Sequence, residues 1–284
     1  MINNDHFLKS IIDFSKKDDN IRAALLTSSR ANKNAETDFL SDYDIELYVN
    51  DIRVIKKNDE WINSLGKVII RWPLYPRATL GDKWITRLLL FENGFRVDFQ
   101  ITDDKNARLK NIDYGFEILV DKDNILTNLP KPTHSQYNIK KPEREDFELL
   151  VNEFWWNATY VPKYLWRDEL PFAKMMMGQS VQDKYLRTII EWYIGFHNNW
   201  NVNTGVYGRY FKKYLNLKIW EKYEKTYSTA DLEENWTSFF VALDLFGELA
   251  KELSQQLGYE YPYQMEESMK TFYKRIRNEK KKSK

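Results

Sequence analysis

The fold is decided by the stretch Ala23-Ala-Leu-Leu-Thr-Ser-Ser-Arg30, a polar segment, and then Ser41-Asp-Tyr-Asp-Ile-Glu-Leu-Tyr-Val-Asn50. Each end of this stretch contains a short apolar run bounded by polar residues, which predicts two strands joined by a polar turn and loop. The second strand begins with Asp42 and Asp44, spaced i, i+2. Because successive side chains of a strand alternate between its faces, both carboxylates are expected on the same face.

Two carboxylates on one face repel each other unless a cation neutralises them. Mg²⁺ is commonly held by one or two carboxylates together with the phosphates of a substrate. The preceding strand closes with Ser28-Ser29, where a phosphate chain could rest on backbone amides. The pattern therefore predicts a metal and phosphate site at the ends of these two strands.

A third carboxylate is expected to join the first two. Two apolar arms, Leu88–Phe91 and Phe95–Ile101, flank Asn93-Gly94, a pair that favours a tight hairpin turn. In the second arm, one face carries Val97, Phe99 and Ile101 and the other carries Arg96, Asp98 and Gln100. Asp98 is thus predicted to lie on a polar strand face, where it can complete the acid cluster with Asp42 and Asp44.

The periodicity of the chain changes after a proline-rich segment at 128–142. Before this linker, strand patterns alternate with short helices and with a loop predicted over 72–83. After it, apolar residues recur at helical spacing, most clearly between Trp236 and Leu257. We predict an α+β protein in which a mixed β-sheet domain with flanking helices, residues 1–134, precedes an all-α bundle, residues 135–284.

Composition limits the possible functions. The 284 residues are 43% hydrophobic, carry a net charge of +1 and include no cysteine, which excludes disulfides and thiol chemistry. A general nucleic-acid binder would show a basic stripe, and here only a short basic tail at 280–282 stands out. No apolar run approaches membrane-spanning length, and the first residues lack the pattern of a signal peptide. We expect a cytoplasmic protein that binds neither nucleic acid nor membrane and is a monomer or a weak homo-oligomer.

The ordered set of motifs resembles the aminoglycoside 6-adenylyltransferases, also called streptomycin adenylyltransferases, of the DNA polymerase beta-like nucleotidyltransferase superfamily. The resemblance covers nearly the whole chain and is carried by Ser-Ser-Arg, Asp-Tyr-Asp and Val-Asp-Phe, and by the stretches Leu119–Asp123, Lys140–Pro142, Asn152–Trp156, Leu165–Arg167 and Lys213–Leu215. It implies a nucleotidyltransferase domain and a helical substrate-binding domain. The implied reaction moves AMP from ATP to a hydroxyl of an aminoglycoside, with streptomycin as the expected acceptor and Mg²⁺ as the metal, and so confers resistance.

The resemblance also implies roles for particular residues. Asp42, Asp44 and Asp98 would be the catalytic metal ligands, with Asp98 alternatively accepting the proton of the attacking hydroxyl. The nucleotide would be bound by Ser28, Ser29, Arg30, Arg209 and Lys213. The helical domain would recognise the polycationic acceptor through acids beside flat apolar surfaces, for which the candidates are Glu153, Trp156, Trp166 and Asp168.

The residue at position 28 departs from the family pattern, and the function has two alternatives. The family has glycine followed by serine where this chain has Ser28-Ser29, and glycine there permits close backbone approach and unusual dihedral angles. Serine can substitute if its φ stays negative; otherwise it could crowd the site. Ser28 makes a nucleotide-binding protein with impaired catalysis one alternative. Independently of Ser28, the other alternative is a nucleotidyltransferase of the same build with another small-molecule or protein acceptor.

Overall fold

A six-stranded mixed sheet organises the N-terminal part of the chain. The computed structural model describes residues 4–75, 83–108 and 110–279, so part of the loop predicted over 72–83 and the basic tail at 280–282 lie outside the described residues. Within these ranges the chain forms two compact units, Met1–Gln136 and Tyr137–Lys284. The predicted α+β fold class, a mixed sheet followed by helices, is confirmed.

The elements of the sheet unit begin with helix α1 (Asn4–Lys17), strand β1 (Ile21–Thr27), the short helix α2 (Ser28–Ala31), strand β2 (Tyr43–Val49) and helix α3 (Ile52–Lys57). They continue with strands β3 (Val68–Trp72), β4 (Ile85–Phe91), β5 (Arg96–Thr102) and β6 (Phe116–Asp121), and with two 3₁₀ turns, Glu60–Ser64 and Lys110–Tyr114. The strand order is β3-β4-β5-β2-β1-β6. Only the central pair, β2 and β5, runs parallel; the other neighbours are antiparallel.

The two faces of this sheet are covered differently. On one face, alternate residues of β2 and β5 such as Ile45 and Phe99 pack beneath α1, whose Phe7 stacks on Phe95 at 4.5 Å between ring centroids. The other face carries a smaller cluster around Leu25 and Tyr48. The predicted β4–β5 hairpin is present, and Gly94 in its turn has φ +86°, a value that favours glycine.

The helical unit contains helices α4 (Arg144–Ala158), α5 (Tyr160–Arg167), α6 (Leu170–Met175), α7 (Arg187–His197), α8 (Phe211–Tyr214), α9 (Leu217–Glu224), α10 (Leu232–Leu257) and α11 (Tyr263–Asn278). A π-helical segment, Met176–Leu186, joins α6 to α7. Helix α10 ends at Gly258, which has φ +72° as expected for a left-handed helix cap. None of the helices in the described ranges has an apolar stretch long enough to cross a membrane.

The crossing of α10 and α11 buries a carboxylate. Glu266 is only 3% exposed, and its two oxygens lie 2.6 Å from the Nζ of Lys251 and 2.7 Å from the Nζ of Lys270. These ammonium groups help to hold the pKa of Glu266 below its ordinary value, against the opposing effect of burial, which is the largest influence. Gly247 leaves the space that this ion-paired side chain occupies, because a methyl group there would lie 2.7 Å from Glu266 Oε1.

Gly247→Ala should therefore destabilise the protein. The buried ion pairs restrict the movement of Glu266, so we expect the free energy of unfolding to fall by about 1–3 kcal/mol, the usual cost of overpacking a filled site. Urea unfolding followed by circular dichroism measures it. The control is Gly178→Ala, where a methyl group would meet nothing within 4 Å and no loss is expected. Equal stability of the two variants would show that Glu266 can move aside.

Candidate active site

Three carboxylates converge at one end of the parallel strand pair. Asp44 of β2 lies directly opposite Asp98 of β5 in the parallel register, and Asp42 precedes β2 by one residue. The side chains of Asp42 and Asp98 are 33% and 18% exposed, so both are reachable from solvent. Two of the acids predicted on a shared polar face, Asp44 and Asp98, are thus paired in the sheet, and Asp42 directly precedes it.

The proximity of these acids changes their ionisation. Burial raises the pKa of Asp44 to about 6, and the charges of Asp98 and Asp42 act in the same direction. Burial also raises the pKa of Asp98, and the charge of Asp42 adds to it, whereas Arg96 opposes the shift. Negative charge is therefore concentrated here at some electrostatic cost, as is common where a site awaits a cation or a proton.

The turn after β1 brings Ser28 to the same place. Thr27 is the register partner of Asp44, and the Ser28 side chain hydrogen-bonds to the Asp44 carboxylate. Ser28 has φ +62°, in the left-handed region, so the condition that its φ stay negative is not met. A Cβ atom in this region costs roughly 1–2 kcal/mol. A glycine at position 28 would avoid this strain.

Arg30 holds the loop that leads into Asp42. Its guanidinium donates to the carbonyl of Ser41 at 2.6 Å and to the carbonyl of Asp42 at 3.1 Å, and its Cζ lies 4.0 Å from the ring centroid of Tyr43. Tyr43 is itself only 2% exposed. The side chain predicted to bind nucleotide is therefore used in this structure to fix the backbone on which Asp42 stands.

The family model described as streptomycin adenylyltransferase matches residues 1–276 of the chain. The chain belongs to that family. It is 34% identical to an aminoglycoside 6-adenylyltransferase of Bacillus subtilis over 88% of this chain and 90% of the relative. It is 32% identical to an aminoglycoside 6-adenylyltransferase of Campylobacter jejuni, over 89% of this chain and 88% of the relative. It is 29% identical to one of Staphylococcus aureus, over 90% of this chain and 92% of the relative.

The resemblance seen in the sequence motifs is thereby confirmed, and so is the enzyme class, because the streptomycin adenylyltransferase family is a family of nucleotidyltransferases. Such an enzyme uses a nucleotide co-substrate, usually with a divalent metal ion. Asp42, Asp44 and Asp98 offer the hard carboxylate oxygens that Mg²⁺ prefers, and their mutual repulsion would be relieved by a cation. As the side chains stand, the described part of the chain contains no group of three or more ligand residues closed around a metal position.

Two residues of this region were missed by sequence reasoning. Arg96 contacts both Asp42 and Asp98, at 3.3 and 3.1 Å. Its position two residues before Asp98 on β5, which puts both side chains on one strand face, was the signal that could have identified it.

Glu46 lies two residues beyond Asp44 on the same strand face and is fully buried. It accepts a hydrogen bond from the Tyr48 hydroxyl at 2.9 Å. Burial raises the pKa of Glu46 to about 7, although that hydrogen bond and Arg108 oppose the shift.

In the helical unit, the four predicted acceptor residues divide into separate places. Trp156 and Trp166 line one cavity of about 570 Å³ between α4, α5 and α11, with Lys163, Arg167 and Glu279 among its other walls. Glu153 lies outside this lining, and its Oε2 is 3.0 Å from the Nζ of Lys184. Asp168 is exposed and forms the left-handed end of α5, with φ +63°.

The two cations predicted to bind nucleotide from the helical unit, Arg209 and Lys213, are both exposed. The Cζ of Arg209 lies 5.0 Å from the ring centroid of Tyr210, and the Nζ of Lys213 lies 6.0 Å from that of Tyr214. Their part in nucleotide binding stays a prediction.

The buried Glu46 should make stability depend on pH. Its pKa is about 7 in the folded protein and near its ordinary 4.5 when unfolded, so unfolding releases a proton between these values. Stability therefore falls as pH rises from 4.5 to 7 and is constant in this respect above 7. At about 1.4 kcal/mol per pKa unit, this decrease in the free energy of unfolding is roughly 3 kcal/mol, and it should be absent in Glu46→Gln.

Urea unfolding at a series of pH values between 4 and 8 tests this expectation. The matched control is Glu117→Gln, which removes an exposed carboxylate of β6 in the same unit and should leave the profile of the wild type. An unchanged profile in the Glu46→Gln variant would mean that Glu46 remains ionised in the folded protein.

Proposed function

We propose that this member of the streptomycin adenylyltransferase family transfers AMP from ATP to a hydroxyl group of an aminoglycoside, with streptomycin as the preferred acceptor. The observation that carries the proposal is the parallel register that sets Asp44 opposite Asp98, with Asp42 and the Ser28 turn beside them. Family membership supports the reaction class, and the relatives named aminoglycoside 6-adenylyltransferases support the acceptor class.

The proposed reaction forms one bond and breaks one. The oxygen of an acceptor hydroxyl attacks the α-phosphorus of ATP, the bond to the bridging oxygen breaks, and pyrophosphate leaves with the negative charge. Asp42 and Asp44 would hold Mg²⁺, which when bound supplies positive charge to the phosphate oxygens. Ser28 and Ser29 would present the turn after β1 to the triphosphate, and Arg30 would keep Asp42 in position from behind.

Asp98 is proposed to take the proton of the attacking hydroxyl, or to share in holding the metal ion. An aspartate with its reference pKa of about 3.9 is a weak base at neutral pH. Burial and the neighbouring Asp42 raise the pKa of Asp98, which makes it a better proton acceptor than an exposed aspartate. Its position opposite Asp44, with 18% of its side chain exposed, leaves it accessible to a bound hydroxyl.

A second candidate acceptor class has one observation in its favour. An aminoglycoside is a polycation, yet the cavity that Trp156 and Trp166 share is also lined by Lys163 and Arg167, with Glu279 as the acid in its lining. The acid predicted to face the drug, Glu153, is already paired with Lys184. A less basic acceptor, either a small molecule or a protein hydroxyl, would suit this cavity better.

Localisation in the cytoplasm and a monomeric or weakly oligomeric state remain part of the proposal.

Asp44→Asn should abolish catalysis and leave the fold intact. The substitution removes a charge but keeps the shape, so turnover should fall by at least about 100-fold while the far-ultraviolet circular dichroism stays that of the wild type. The assay is pyrophosphate release from ATP and Mg²⁺ with a panel of acceptors that includes streptomycin and lincomycin, followed by mass spectrometry of the acceptor. Asp13→Asn, an exposed aspartate of α1 away from the site, serves as the matched control.

The outcomes of this assay separate the candidates. Release only with streptomycin supports the proposed function, and release only with a less basic acceptor supports the second candidate. ATP binding by calorimetry without release from any acceptor would favour a binding protein. Turnover unaffected by Asp44→Asn would contradict the assignment of the acid cluster.

Ser28→Gly should preserve or raise the affinity for ATP. Glycine adopts the observed φ of +62° without strain, so we also expect the free energy of unfolding of this variant to exceed that of Ser28→Ala by about 1 kcal/mol. Calorimetric titration with ATP and thermal unfolding measure the two effects. Ser28→Ala is the matched control, because it keeps the strained Cβ and loses the hydrogen bond to Asp44. A marked loss of ATP affinity in both variants would identify the Ser28 hydroxyl as a dedicated ligand.

A further inference from the structure

The guanidinium of Arg96 is placed between two of the catalytic carboxylates. Its Nη1 lies 3.3 Å from Asp42 Oδ2, its Nη2 lies 3.1 Å from Asp98 Oδ2, and its Nε donates to Asp98 Oδ1 at 3.3 Å. Arg96 is the first residue of β5 and shares the polar face of that strand with Asp98. One cation thus joins a carboxylate that precedes β2 to a carboxylate on β5.

The Arg96 side chain that makes these contacts is exposed enough to move. Arg96 is 50% exposed, and its long chain can swing away from the strand end without disturbing packed residues. Arg87 in the same sheet shows the opposite arrangement, because it is fully buried and donates to the buried Asp59 at 2.8 Å. Exposed arginine–carboxylate pairs contribute little to stability, so the fold does not depend on the position of Arg96.

Arg96 contacts oxygens of two of the three carboxylates that would hold a divalent cation. A metal ion held by Asp42 and Asp44, and shared by Asp98, would compete with Arg96 for carboxylate oxygens, and two positive charges within a few ångströms repel each other. The three carboxylates and Arg96 together carry a net charge of −2, so the cluster still attracts a cation when Arg96 is present. Arg96 and the metal ion therefore compete at the oxygens of Asp42 and Asp98 that they share.

We propose that Arg96 is an exchangeable counter-ion of the acid cluster. Without metal it bridges Asp42 and Asp98 and limits their repulsion; when a divalent cation is bound it gives up these contacts and its guanidinium becomes available to the triphosphate. Arginine suits the second role because its planar donors match phosphate oxygens. The inference rests on the proposed function in that it takes the acid cluster to be the metal site.

The test compares the wild type with Arg96→Met, which keeps most of the side-chain volume and removes the charge. The first readout is binding of Mn²⁺ alone by isothermal titration calorimetry, with no nucleotide or acceptor. Because the competing charge is gone, the affinity for Mn²⁺ should rise by about tenfold. The second readout is ATP binding at saturating Mn²⁺, which should weaken by about tenfold when a charge-assisted contact to phosphate is lost.

Arg53→Met is the matched control. Arg53 is an exposed arginine of the same unit, paired with Asp51 at 2.8 Å, and its replacement should change neither affinity. Arg96→Lys guards against a folding defect in the methionine variant, because it retains the charge. Its circular dichroism and its Mn²⁺ affinity should be those of the wild type.

An affinity for Mn²⁺ that is equal or lower in Arg96→Met than in the wild type would overturn the proposal, as would the absence of Mn²⁺ binding in both proteins. An ATP affinity unchanged by the substitution would overturn the phosphate-binding role. These readouts need no acceptor. A wild type that binds Mn²⁺ and ATP but modifies no acceptor would count against the proposed function, whereas the Arg96 comparison could still be read.

Discussion

The parallel pairing of β2 with β5 brings like charges together, and much of the surrounding structure deals with the consequences. This register places Asp44 against Asp98 at a partly buried strand end, where both carboxylates have a raised pKa because of burial. The opposite face of the same strands is packed with apolar residues beneath α1. The apolar face therefore fixes the register, and the register forces the acids together whatever their repulsion costs.

Two further features serve this arrangement. The turn after β1 holds Ser28 at a left-handed φ beside Asp44, and Arg30 ties the carbonyls of Ser41 and Asp42 to the aromatic ring of Tyr43. Backbone strain lowers the stability of the fold, and an arginine that binds exposed carbonyl groups adds little to it. They are understandable where the positions of carboxylates must be held to within a fraction of an ångström, as in transfer reactions that depend on alignment.

The helical unit presents a different chemical character. Its aromatic side chains form the core and also the cavity beside Trp156 and Trp166, where cations outnumber acids. Glu153 has its charge balanced by Lys184 and lies close to Tyr185. The charge of Glu153 is thus balanced within the folded unit, and the cavity beside the two tryptophans has a different charge balance from the acid cluster of the sheet unit.

The sequence by itself determined the strands, the hairpin, the helical second half, the family and the three acids on one polar face. The strands, helices and shared acid face follow from alternation and periodicity, which are local properties of the chain, and the family follows from the ordered motifs. Only the tertiary structure decided that Ser28 adopts a positive φ, that Arg30 is used by the backbone, that Glu46 is buried and that Arg96 bridges Asp42 and Asp98. It also decided that Glu153 is paired with Lys184, 31 residues away along the chain. Each of these depends on which long side chain reaches which partner across elements distant in sequence, and no local pattern encodes that choice.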